Sequence, residues 1–139
     1  MGSRDQSDVP GNRYSGQGDI GTVASNAADT VYQAFYRAPV AGKITAVNVW
    51  SSASQASDAT NYRSLKLINR GLLGAGTLVM ASNLGTASRA ADTAQALTIS
   101  TTAANLAMVA GDILAFLTTK VGDGVVINVA HIQVDYQMT

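Results

Sequence analysis

His131 and Asp135 are the two residues whose types come nearest to proton-transfer chemistry, an imidazole that could act as a base and a carboxylate that could orient it. On a strand, residues four apart share a face but lie roughly 13 Å apart along it. No nucleophile is tied to either by spacing, so an exposed or partly satisfied strand histidine is the simpler account. Gly122, Asp123 and Gly124 could be a fragment of a calcium loop. Calcium needs roughly six or more oxygens, and the nearest other carboxylates in sequence are Asp112 and Asp135, which favours a turn. The Gly-rich run 69–77 lacks the Lys-Ser/Thr ending and the following helix of a phosphate-binding loop. Tyr32, Phe35, Tyr36, Trp50 and Tyr62 could stack on sugar rings, but aromatics are 6% of the chain and core packing accounts for most of them.

The rest of the polar inventory points the same way. The chain has no Cys, no Glu and a single His, and all nine of its carboxylates are Asp. Hydrolytic, redox and metal chemistry draws mostly on His, Cys and Glu. The expectation is a protein that is not an enzyme and takes no cofactor or metal. Nine Lys plus Arg balance nine Asp, so no basic stripe favours nucleic acid or an anionic membrane. No stretch approaches the ~20 apolar residues of a membrane span. Neither a nucleic acid nor a membrane is therefore expected as a partner.

At 139 residues the chain reads as one domain preceded by an arm. Residues 1–22 are polar, with five Gly, and their bulky apolar side chains are Val9, Tyr14 and Ile20. Such a segment cannot fold alone, so it reads as a flexible N-terminal arm. Either it is a disordered tail or it orders on a neighbouring subunit, with Arg4, Arg13, Tyr14 and Ile20 as anchors. Deletion of 1–22 is then expected to leave the body folded and to weaken attachment.

The body, 23–139, has a β pattern. Strands are expected at 31–37, 43–50, 64–69, 77–82, 96–100, 112–119 and 125–137. Residues 103–110 read as a helical turn closed by Gly111, or as a turn followed by extended chain. Residues 70–76 suit a hairpin turn, and 121–124 carry the clearest hairpin signal. Leu72 and Leu73 are odd at a Gly-rich tip: they either fold back onto the core or meet another subunit. In the last strand Val125, Ile127 and Val129 alternate in one phase, and Ile132, Val134 and Tyr136 in the other. That switch implies a bulge or a change of packing partner. Seven or eight strands at regular turns predict an all-β, antiparallel β-sandwich, with a jelly roll as the best specific match.

The body also carries a run of segments that invites comparison. These are residues 36–49 (YRAPVAGKITAVNV), 61–62 (NY), 65–71 (LKLINRG), 74–77 (GAGT), 109–114 (VAGDIL), 122–127 (GDGVVI) and 134–136 (VDY). In this rhythm the chain resembles the small β-sandwich head-decoration, or capsid cement, proteins of tailed bacteriophages. The resemblance implies a structural virion protein on the outer surface of an icosahedral capsid, bridging capsomers. Its implied partners are the major capsid protein and further copies of itself, as a homotrimer. A trimeric tail- or fibre-associated module and a carbohydrate-binding sandwich are the alternatives.

Overall fold

The computed structural model describes residues 11–139. Ten strands run in chain order: β1 (Arg13–Ile20), β2 (Thr30–Arg37), β3 (Gly42–Ser51), β4 (Tyr62–Asn69) and β5 (Leu78–Asn83), then β6 (Gln95–Ala96), β7 (Thr98–Ile99), β8 (Ala107–Met108), β9 (Ile113–Val121) and β10 (Ala130–Met138). A short 3-10 helix, Ala103–Leu106, precedes β8. Sheet I has the order β1-β10-β3-β6, with β8 also on β3, and sheet II the order β2-β9-β4-β5-β7. All pairings between these strands are antiparallel. The two sheets form a sandwich. With β6 or β8 taken as one position, the chain visits them in the order of a jelly roll, the specific match expected from the sequence.

Alternation explains which side chains meet between the sheets. On β10, Ala130, Ile132, Val134 and Tyr136 are buried, with His131, Gln133, Asp135 and Gln137 between them. On β4, Arg63, Leu65 and Leu67 share the inward phase. An extra residue on β3, where Tyr136 faces Ile44 and Asp135 faces Ala46, lets Ile44 point inward together with Val47 and Val49. The strand is interior to sheet I, between β10 and β6.

Three sequence expectations change, and a fourth, open between two outcomes, is settled. The first concerns the arm. Its residues 1–10, and with them Arg4, lie outside the described residues. Arg13–Ile20 is not free chain but the edge strand of sheet I, in register with β10 from Arg13↔Gln137 to Ile20↔Ala130. Removing 1–22 would therefore remove a strand. The physical reason is in the glycines. A Cβ on Gly18 would lie 2.5 Å from Cβ of Phe35, and one on Gly16 would lie 2.7 Å from the Tyr36 ring. A bulge between Ala34 and Tyr36 brings two consecutive aromatics under β1, and only Gly lets the backbone come so close.

The second is the hairpin at 121–124. Gly122 and Gly124 do adopt positive φ, but β9 lies in sheet II and β10 in sheet I. Residues 125–129 cross between the sheets, held by the bridge Val23↔Ile127. The phase switch before Ala130 is thus a change of packing partner. Third, the strand expected at 96–100 breaks at Leu97, whose N–H donates to the Val47 carbonyl and whose side chain is buried. Its two halves join different sheets. Fourth, 103–110 is the turn followed by extended chain, not a longer helical stretch.

Three tyrosines tie the sheets together. The Tyr136 and Tyr36 hydroxyls, from β10 and β2, lie 2.7 Å apart. Tyr14 of β1 stacks on Tyr136 with centroids 5.3 Å apart. Burial, and then the hydrogen bond with Tyr36, push the Tyr136 phenol well above its ordinary value. The fold favours the neutral phenol, so its contribution is whole below the unfolded-state value of about 10. It is lost as pH rises from there toward the folded-state value. Urea midpoints should hold from pH 8 to 10 and fall above it, and Tyr136→Phe should flatten that fall. An unchanged slope in Tyr136→Phe would assign the alkaline loss to other groups.

Candidate interaction surfaces

The sandwich has two ends and two outer faces, and each presents different chemistry. At one end the chain's first described residues meet its last: Gly11 N–H donates to the Met138 carbonyl and Thr139 N–H to that of Ala41. The segments 38–41, 70–77 and 109–112 gather there, cross-linked by Arg70 N–H to Ile113 O, Ile113 N–H to Gly71 O and Gly111 N–H to Ala38 O. This is the terminal end. The distal end gathers 21–29, 52–61, 84–94 and 122–129 through the bridges Val23↔Ile127 and Gln55↔Arg89.

A buried polar pair makes the terminal end rigid. One carboxylate oxygen of Asp112 accepts from Asn69 Nδ2 at 2.8 Å and from Val109 N–H at 2.9 Å. Asn69 Oδ1 in turn accepts from Gly71 N–H at 2.8 Å. One carboxylate therefore fixes two turns together. On them stand Leu72, Leu73 and Val109, with 59%, 93% and 55% of their surface exposed. Of the two outcomes expected for the leucines, folding back onto the core is the one that does not occur. The turn is held in place by its own polar contacts, and Leu72 only leans against Gly111. Nearby, Arg70 stacks 4.1 Å above the Tyr32 ring and donates to the Gly76 carbonyl.

The distal end is pinned by a group the sequence reading passed over. Arg63 has no exposed surface. Its guanidinium donates to the carbonyls of Ala24, Ala27 and Ala28, the closest at 3.0 Å to Ala27. The signal was available: Arg63 is in phase with Leu65 and Leu67, so it had to point inward. Asp58 accepts from the N–H groups of Asn61 and Thr60, which hold its carboxyl below the usual range.

The outer face of sheet I is a polar ladder. Ser15 donates to Asp135 at 2.5 Å, Gln17 to Gln133 at 2.9 Å, and Gln133 to Asp135 at 3.0 Å. His131 pairs with Asp19 at 2.7 Å through Nδ1, not with Asp135. Asp19 was out of reach of the sequence reading because its strand had been taken for an arm. The His131 ring lies 5.7 Å from Trp50. The five aromatics considered for sugar stacking do not form one platform. Trp50 is in sheet I and Tyr32 in sheet II, while Phe35 and Tyr36 pack against the core. Of the residues expected as interface anchors, Ile20 is fully buried in the core and Tyr14 packs on Tyr136. The Ile20 side chain is therefore not free to anchor on a neighbour, while Tyr14 is half-buried. Arg13, Leu72 and Leu73 are exposed, and all three are at the terminal end.

Among the described residues no three His or Asp side chains converge as a metal site would require. No helix there is long and apolar enough to cross a membrane. No protein-family model matches the chain, and no curated relative matches it. Its fold is similar to that of a solved chain described as "Cyanophage Pam1 capsid asymmetric unit". The superposition has a TM-score of 0.51 at 14% sequence identity, and it covers 100% of this chain and 93% of that one. At that identity the likeness is one of fold.

Proposed function

We propose that this chain is a structural virion protein that binds the outer surface of an icosahedral phage capsid, as a homotrimer, and stabilises the shell by bridging capsomers. The observation that carries the reading is the end-to-end likeness of fold to a chain from a phage capsid asymmetric unit. The decoration-protein rhythm of the sequence supports the finer placement on the shell exterior. The physics of the role agrees with it. Cementing needs many copies of a small, stable fold and no chemistry at any one site, because multivalent attachment turns modest contacts into tight binding.

A cryo-EM reconstruction of the source particle tests the reading. The expected result is sandwich-shaped density on the outer shell between capsomers. Density in the tail, inside the shell or nowhere on the particle would overturn it. Light scattering should give a mass three times 14.3 kDa for the free protein if the trimer forms before attachment.

A further inference from the structure

The fully exposed charges among the described residues are sorted by end. The distal end's own cations are Arg63, which is buried, Arg89, which is half-buried, and Lys120, which is paired with Asp29. Arg13, Arg37 and Lys43 are exposed at the terminal end, at the start of β1, the end of β2 and the start of β3. Arg70 stands half-buried beside them. The carboxylate among the described residues of that end is Asp112, which is buried and used by Asn69 and Val109. The nearest other one, Asp135, lies on the ladder of sheet I, bonded by Ser15 and Gln133. At the distal end Asp19, Asp29, Asp58, Asp92 and Asp123 are all exposed.

From this sorting we infer that the terminal end is the docking end, and that its partner is an acidic patch on the protein shell. The inference rests on the proposed function and names the surface that performs it. Three exposed apolar side chains, Leu72, Leu73 and Val109, stand among cations on turns that Asp112 holds rigid. An apolar centre with an Arg-bearing rim is the composition of a binding hot spot. A pre-set tip loses little freedom on docking. The acidic distal end is repelled by the same partner, so the field orients the approach. A second copy's distal end also carries acid, but a contact between opposite ends of the sandwich stacks copies in a line, which builds open filaments and does not close into the proposed trimer. Much of that acid is also engaged: Asp19 pairs with His131, Asp29 with Lys120, and Asp58 accepts from its own loop.

The test measures binding of the full chain to purified shells of the source particle stripped of it. Leu73→Asp and Arg37→Glu are compared with wild type and with Leu84→Asp, a control at the distal end, where Leu84 is 66% exposed. The chosen positions are exposed, and circular dichroism checks that each variant folds. Loss of affinity by at least about tenfold in each terminal-end variant, with Leu84→Asp unchanged, is the expected result. Wild-type affinity should also fall as salt rises. Unchanged binding of Leu73→Asp and Arg37→Glu to shells that wild type decorates would overturn the assignment of the end and leave the proposed function standing. Filaments of wild type that Leu73→Asp dissolves, with shell binding intact, would overturn it too. Shells that wild type does not bind would overturn both readings.

Discussion

Arg63→Met should unfold at a much lower urea concentration than wild type, with a loss of about 3–5 kcal/mol. Methionine keeps much of the volume and the unbranched stem, so the cavity term is small. What disappears is the set of charged donors to the carbonyls of Ala24, Ala27 and Ala28. Those acceptors lie on the crossing from β1 to β2, at the distal end. Without the guanidinium the Ala27 and Ala28 carbonyls face a buried apolar side chain and lose their donor, while Ala24 keeps the N–H of Ala27. Arg63→Lys should recover only part of the loss, because a single ammonium cannot span three carbonyls in the fork geometry of Arg. Both losses are read from the urea midpoint at constant slope. An Arg63→Met chain within about 0.5 kcal/mol of wild type would show that the loop closes without its pin.

Gly18→Ala is the second large effect, and its size comes from one methyl group. The added Cβ would sit 2.5 Å from Cβ of Phe35, an atom attached directly to the backbone. A flexible side-chain end could swing away, but this one cannot, so either β1 or β2 must shift. Overpacking of that kind costs about 1–3 kcal/mol, and here the upper part of the range is expected. Gln17→Ala, one residue away on the outer face, removes its bond to Gln133 and should cost about 1 kcal/mol or less. Amide hydrogen exchange along β1 separates the two mechanisms. Gly18→Ala should speed exchange across Arg13–Ile20 as the edge strand loosens. Equal protection in both variants would show that Phe35 yields without displacing the strand.

The same glycines mark where the sequence was legible and where it was not. The strands with alternating Val, Ile and Leu could be read from the chain, and so could the sandwich they build. The segment 13–20 could not, because its inward positions are Tyr14, Gly16, Gly18 and Ile20. Two of the four have no side chain, and their partners, Phe35 and Tyr36, are about twenty residues away. A pattern of burial written in glycine looks locally like a tail. The turn at 121–124 failed for a related reason. Its φ angles were legible in Gly122 and Gly124, but the sheet that receives the chain after it is a long-range property. Leu72 and Leu73 stand out in the sequence, since nothing in their turn explains two large apolar side chains. The buried Asp112 that stiffens their platform gave no sign of its burial, because Asn69, the side chain that pairs with it, is distant in the chain.

The strand order also sets a schedule for biosynthesis. The middle of sheet I is β10, the last strand of the chain, and on either side of it lie β1 and β3. The strand before it, β9, is an interior strand of sheet II, between β2 and β4. A nascent chain therefore emerges from the ribosome with one interior strand of each sheet still to come. β1 must wait for Gln137 before Arg13 finds its neighbour. Pairings this distant along the chain make folding slow, and they leave early strands uncovered while translation continues. A chain that stops before Ala130–Met138 lacks the strand that joins β1 to β3 in sheet I. Products of translation that stop before β10 are thus left with β1 unpaired and sheet I in two pieces, so closure of the sandwich waits for that strand.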